Sequence, residues 1–282
     1  MMMDNSEHTW LPARTAGSSG YSDWQRGWRR VAVLSLAATP LLLLVGLLPA
    51  QEKKEPPQAK VVAPFGIVRG TTTTVIIRGL NLSDATEIRF PDLKPAPVIK
   101  IKSKGAAPGA DKVSVDKIGN TQLEVELTLP PDAPLRPVPF IIVGPSGQSE
   151  AKQILILDET KTVAEKEPND GFAGAQEISL GQSITGILSP GQKSDVFRFT
   201  GQAGQKIRIE AQAVRFGSPL DPFLILNNAD GQLLAEVDDG LEVSDPILEF
   251  TFAKDGAYFL TIRDAHDLAS PVHAYVLRTK VQ

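Results

Sequence analysis

Gln122-Leu123-Glu124-Val125-Glu126-Leu127-Thr128-Leu129 is the stretch whose reading decides the fold. Its apolar residues fall on every second position, with Glu124, Glu126 and Thr128 between them. Successive side chains of a strand point to opposite faces, so this period sets one apolar face on a core and one polar face in water. On either side of it, residues 73–78, 87–90, 98–102, 113–118, 138–143 and 153–157 read as further short strands, each bounded by Gly, Pro or Asp. Such runs, with no convincing helix between them, predict a β-sandwich over 61–158.

The same pattern resumes further along. Residues 183–188, 195–200, 205–213, 223–227, 233–237, 247–252, 256–264 and 273–277 read as strands. Ile207, Ile209 and Ala211 alternate with Lys206, Arg208 and Glu210, and Tyr258, Leu260 and Ile262 alternate with Phe259, Thr261 and Arg263. Asn228-Ala229-Asp230-Gly231-Gln232 reads as a hairpin turn, because Asp-Gly adopts positive φ cheaply. Eight runs fit a two-sheet jelly roll. The expected fold class is therefore all-β, with two tandem sandwiches at 61–158 and 167–282. Polar linkers at 51–60 and 159–166 flank the first, and the second linker is expected to be mobile.

Composition narrows the functional classes. The chain has 282 residues, 42% hydrophobic and 22% charged, which is enough apolar material for two cores. It has no cysteine, which excludes disulfides, thiolate zinc sites and a cysteine nucleophile. Net charge is −4; removing residues 1–50 leaves 25 basic and 30 acidic residues, or −5. A mildly acidic chain without a basic run binds nucleic acid and anionic membranes poorly. Residues 31–50 are an apolar run preceded by Arg26, Arg29 and Arg30, the order of a secretory signal with cleavage near Ala50. About 20 apolar residues also just span a bilayer, so an uncleaved anchor is the alternative. Both readings place 51–282 outside the cytoplasmic membrane, secreted, periplasmic or on the envelope, with membrane contact only through the N-terminal segment.

One polar stretch carries candidate chemistry: Glu165-Lys166-Glu167-Pro168-Asn169-Asp170. Proline disfavours the helical region for the residue before it, so Glu167 is expected to be extended. Alternation then puts Glu165, Glu167 and Asn169 on one side with Asp170 beside them, oxygen donors that suit a hard cation such as calcium. A solvated acidic linker is the other reading.

The second half resembles the bacterial pre-peptidase C-terminal domain family. The resemblance rests on Glu167-Pro168-Asn169-Asp170, Ser194-Asp195-Val196-Phe197-Arg198-Phe199 and Ala203-Gly204-Gln205, and continues through Ser218-Pro219-Leu220-Asp221-Pro222, Asn228-Ala229-Asp230-Gly231, Asp238-Asp239, Phe250-Thr251 and Gly256-Ala257-Tyr258-Phe259-Leu260. It implies a non-catalytic β-sandwich attached to secreted enzymes or envelope proteins, some members binding collagen or polysaccharide. It also implies calcium held between the linker acids Glu165, Glu167, Asn169 and Asp170 and the strand-opening Asp195. Gln192 stands where calcium-binding relatives offer a further acid, which implies weaker binding. In the first half, Gly66-Ile67-Val68-Arg69-Gly70-Thr71, Val75-Ile76-Ile77-Arg78-Gly79-Leu80-Asn81-Leu82 and Ala85-Thr86-Glu87-Ile88-Arg89-Phe90 resemble the opening of an IPT/TIG immunoglobulin-like domain.

Catalytic signals are weak. The chain lacks a Gly-x-Ser-x-Gly elbow and a His-Glu-x-x-His motif. Its histidines are His8, His266 and His273; His266, in Asp264-Ala265-His266-Asp267, reads as a loop residue. Asp238, Asp239 and Asp245 read as turn residues, with a second cation loop as the alternative. Beyond the leader Tyr258 and Tyr275 are the only tyrosines and no tryptophan remains, which disfavours aromatic recognition of collagen or glycan. The expected function is a non-catalytic secreted or envelope protein making protein–protein or matrix contacts and possessing a calcium-stabilised module. The alternative is an accessory targeting or folding partner of a secreted hydrolase.

Overall fold

The computed structural model describes residues 54–109, 112–240 and 244–282. The N-terminal signal or anchor lies outside the described residues. No described helix is long and apolar enough to cross a membrane.

The first sandwich contains β1 (Gln58–Ala63), β2 (Gly66–Val68), β3 (Thr72–Leu80), β4 (Glu87–Arg89), β5 (Val98–Ala106), β6 (Thr121–Thr128), β7 (Pro137–Gly144), β8 (Gly147–Gln148) and β9 (Lys152–Leu157). One sheet has the order β1-β3-β6-β5; the other has the order β2-β9-β7-β4, with β8 paired to β7. Leu123, Val125 and Leu127 of β6 face the core as their spacing requires. Residues 113–118 depart from expectation. Val115–Ile118 is a single helical turn, α1, started by the Ser114 side chain accepting the Asp116 N–H. A local serine cap outweighs a run too short to reveal its period.

The second sandwich contains β10 (Thr162–Ala164), β11 (Gln176–Glu177), β12 (Ser183–Ile187), β13 (Ser194–Gly201), β14 (Lys206–Gln212), β15 (Pro222–Asn228), β16 (Leu233–Val237), β17 (Ile247–Thr251), β18 (Gly256–Asp264) and β19 (Ala274–Val281). Its sheets run β10-β12-β19-β14-β17 and β11-β13-β18-β15-β16. All eight expected runs are strands. The two additional ones, β10 and β11, pair in parallel with β12 and β13. The segment expected as a linker at 159–166 is thus a 3-10 turn, Glu159–Lys161, followed by a strand of the second sandwich.

Residues 51–282 form one compact unit. The buried cluster of the first sandwich includes Phe216, Val272, Ala274 and Val276 from the second. Phe65 and Phe216 stack across this seam with centroids 4.7 Å apart and planes 11° from parallel. Gly66 sits where a Cβ would meet the Val276 Cγ2 atom at 2.6 Å, so the backbone of β2 lies directly against β19. The first half of β19 is buried on both faces: Ala274 and Val276 pack into the first core, Tyr275 and Leu277 into the second.

Candidate functional site

Asp195 opens β13 in one sheet and Tyr275 lies on β19 in the other, so their side chains meet between the sheets at one end of the second sandwich. The chain leaving β10 closes that end. Glu165 is tied down by its N–H to the Thr185 carbonyl at 2.9 Å and by its Oε1, which accepts the Ile187 N–H at 2.7 Å. Glu167 Oε2 accepts the Asn169 N–H at 3.1 Å, and the Asn169 carbonyl accepts the Val196 N–H at 2.7 Å. These bonds, not strand alternation, gather the donors, because β10 ends at Ala164. Gly186 leaves the room: a Cβ there would collide with the Tyr275 phenol and the Glu165 carboxylate.

Carboxylate oxygens of Glu165, Glu167 and Asp195 lie within 4.8 Å of one another. The Tyr275 hydroxyl is 2.8 Å from Glu165 Oε2 and 2.5 Å from Asp195 Oδ2, yet it has one proton and donates to only one of them at a time. Gln192 donates its amide N–H to Glu167 Oε2 at 2.6 Å. Asn169 is fully buried, and the hydrogen-bond network assigns its amide nitrogen to the carboxylates, donating to Asp195 Oδ1 at 3.3 Å and to Glu167 Oε2 at 3.0 Å. Asp170 stands apart, exposed and outside the cluster.

The electrostatics of Glu165 and Asp195 follow from burial without a counter-charge, while Glu167 is exposed. None of the ion pairs among the described residues involves these three acids. Burial, followed by the adjacent Glu165 carboxyl, pushes Asp195 up to about 9. Burial also raises Glu165, and it lifts the Tyr275 phenol well above its ordinary value. Converging oxygens of this kind need protons or a cation. Three carboxylates and an amide oxygen are a hard donor set, so the residues fit calcium. An ion there would meet the Asn169 oxygen only once the amide turned over from its donating orientation.

Asp245, Asp264, His266 and His273 have structural partners. The buried Asp245 carboxylate accepts the N–H groups of Ala213, Val214 and Arg215 and pairs with Arg215 Nε at 2.6 Å. Buried Asp264 accepts the N–H groups of Asp221, His266 and Leu268. The His266 side chain is 72% exposed, 3.8 Å from Asp221. Ser270 and His273 are 2.6 Å apart, but both are buried, out of reach of a substrate.

A second feature lies on the solvent side of the sheet β11-β13-β18-β15-β16. Tyr258 and Tyr275 are core residues, as expected. The surface aromatics are phenylalanines. Phe172 is exposed and stacks on Phe259 with centroids 4.6 Å apart. Phe259 lies opposite Asn227, which pairs in turn with the exposed Leu233. One step along, Ile225 faces Thr261; beyond it Phe223 faces Arg263, whose guanidinium sits 4.7 Å over the ring. This half-exposed apolar strip is built from phenylalanine, which a reading based on tyrosine and tryptophan alone does not weigh. Its sequence signal was present in Phe259 and Phe223, which alternate with core positions. Tyr275 had no comparable local signal as a site residue, whereas Gly186 inside an apolar strand did mark a close approach.

A probable subtilase-type serine protease of Deinococcus radiodurans is 33% identical over 132 residues, 41% of this chain and 18% of the relative, so the chain spans under a fifth of that protein. The pre-peptidase C-terminal domain of a Bacillus anthracis collagenase is 21% identical, covering 38% of this chain and 94% of that one, with a TM-score of 0.32. A Bacteroides ovatus SGBP-B protein crystallised with a mixed-linkage heptasaccharide is 13% identical over 74% of each chain, with a TM-score of 0.27. Residues 193–264, from the turn before β13 to the end of β18, match the family model of the bacterial pre-peptidase C-terminal domain.

Proposed function

We propose that this chain is a non-catalytic, secreted or envelope-associated binding protein, whose second sandwich makes protein or matrix contacts and is stabilised by calcium. The observation that carries the reading is the apolar strip of Phe172, Phe259, Phe223, Ile225 and Leu233 on a solvent-facing sheet. Flat, stiff rings on an open sheet supply contact area at low entropic cost, which suits an extended partner better than a small substrate. Calcium is held by Glu165, Glu167, Asn169 and Asp195, with Tyr275 and Gln192 completing the polar shell. Extracellular modules of this kind bind calcium at roughly 0.1–1 mM. The first sandwich is an IPT/TIG-like immunoglobulin module. The 132-residue similarity to a protease favours one further reading, an accessory role toward a secreted hydrolase.

The test is capture of envelope and matrix components on the immobilised chain, in calcium and in chelator, beside a Phe172→Ala/Phe259→Ala double variant. The reading requires a component retained by the wild type and lost by the variant. Equal retention by both chains removes the aromatic strip from the function.

A further inference from the structure

We infer that the open half of the other outer face, on β12, β19 and β14, is a docking surface for a carboxylated polysaccharide, a polyuronate. The upper half of this face, with Ala274, Val276 and Ile187, is covered by the first sandwich. The rest is a shallow depression lined by Ser183, Arg208, Glu210, Arg278 and Lys280. Register fixes the pattern: Arg208 lies opposite Lys280, and Arg278 lies between Ser183 and Glu210. Lys206 extends the same face of β14. Cations two residues apart on a strand repeat at about 6.7 Å, so two neighbouring strands present a two-dimensional grid of positive charge.

The charge balance of the face is the opposite of the chain's. Lys206, Arg208, Arg278 and Lys280 meet two acids, and both acids already have partners: Glu249 with Arg208 at 2.7 Å, Glu210 with Arg215 at 2.8 Å. Among the described residues no carboxylate forms an ion pair with Lys206, Arg278 or Lys280. A chain that is otherwise acidic therefore concentrates unpaired cations beside guanidinium–carboxylate pairs, the interaction a uronate would extend. The face has no aromatic side chain on which a nucleobase could stack, which selects against single-stranded nucleic acid. The serine and threonine hydroxyls at Ser183 and Thr251 suit sugar hydroxyls.

This inference is independent of the aromatic strip, which lies on the opposite sheet. The experiment is retention of the full chain on immobilised polygalacturonate in chelator, so that no cation bridges protein acids to the polymer. Salt is set at about 50 mM and then about 200 mM, where screening separates electrostatic from apolar binding. The wild type is expected to be retained at low salt and released at high salt. Arg278→Glu/Lys280→Glu is expected to weaken retention at least about tenfold with its melting temperature unchanged, since both side chains are exposed. Phe259→Ala is expected to bind polygalacturonate as the wild type does. No wild-type retention at low salt, equal retention by the charge-reversed variant, or stronger retention on single-stranded DNA than on polygalacturonate would each overturn the proposal.

Discussion

Truncating Phe216 to alanine tests whether the two sandwiches are one folding unit. Phe216 belongs by sequence to the second sandwich, following β14, but its ring is buried in the first core against Phe65. Removing a buried Phe ring costs about 3–5 kcal/mol, through lost transfer energy and the cavity left behind. For a unit of 150–250 residues, each kcal/mol moves the melting temperature by about 2–4 °C, so the shift is on the order of 10 °C. Both sandwiches should share that shift, because the seam also contains Val272, Ala274, Val276 and the close packing at Gly66. Calorimetry should show one transition. Hydrogen exchange read peptide by peptide should show protection falling equally in β3 and β6 of the first sandwich and in β14 and β19 of the second. Two separated transitions, or lost protection confined to the second sandwich, would refute the shared core.

Calcium at about ten times its dissociation constant should stabilise residues 51–282 by roughly 1.4 kcal/mol, about 3–6 °C of melting temperature. Asp195→Asn should abolish that shift without lowering the melting point measured in chelator, because a neutral amide replaces a carboxyl that stays protonated there; a retained calcium shift would take Asp195 out of the site. The pH response has a definite sign. Asp195 is raised above its unfolded value, so its favourable contribution in chelator is complete below the unfolded pKa of 3.8 and declines as pH rises toward the folded value of about 9. Urea titrations in chelator should show this loss across that window and calcium should remove it; a flat chelator profile would contradict the burial argument. Limited proteolysis should spare residues 162–164, held as a strand against β12, and early cutting there would show that β10 is not stably paired.

Alternation was enough to find β6, β14 and β18, because each buries one face and wets the other. It failed where burial is two-sided or local. Strand β1 carries Val61, Val62 and Ala63 all buried, so it has no period of two to read, and its neighbours Pro56 and Pro57 disguised its start as linker. At 113–118 a serine cap, a local feature, decided for a helical turn. The acids Glu165, Glu167 and Asp195 could be nominated from residue type and resemblance, but Tyr275 could not, since its meeting with Asp195 spans 80 residues of sequence. The seam was invisible for the same reason. Phe216, Val276 and Phe65 look like ordinary core residues, and nothing local says which core they enter.

That ambiguity gives β19 its role. Tyr275 reaches the carboxylate cluster from one face of the strand, while Ala274 and Val276, its immediate neighbours, reach the first sandwich from the other. Strand β12 repeats the arrangement: Gly186 makes room for Tyr275 and Glu165, and Thr185 lies against Gly66 across the seam. A packed interior transmits displacement because it has few voids to absorb it. A shift of the Tyr275 ring when the acids change partner therefore acts on the same two strands that hold the first sandwich. Calcium bound at this cluster would be linked to seam stability by this geometry, and linkage is reciprocal. Phe216→Ala, more than a turn of chain away from any ligand, should weaken calcium binding to the extent that calcium tightens the seam. Titration calorimetry on the variant measures that difference directly, and an unchanged dissociation constant would mean that β19 holds two neighbours without coupling them.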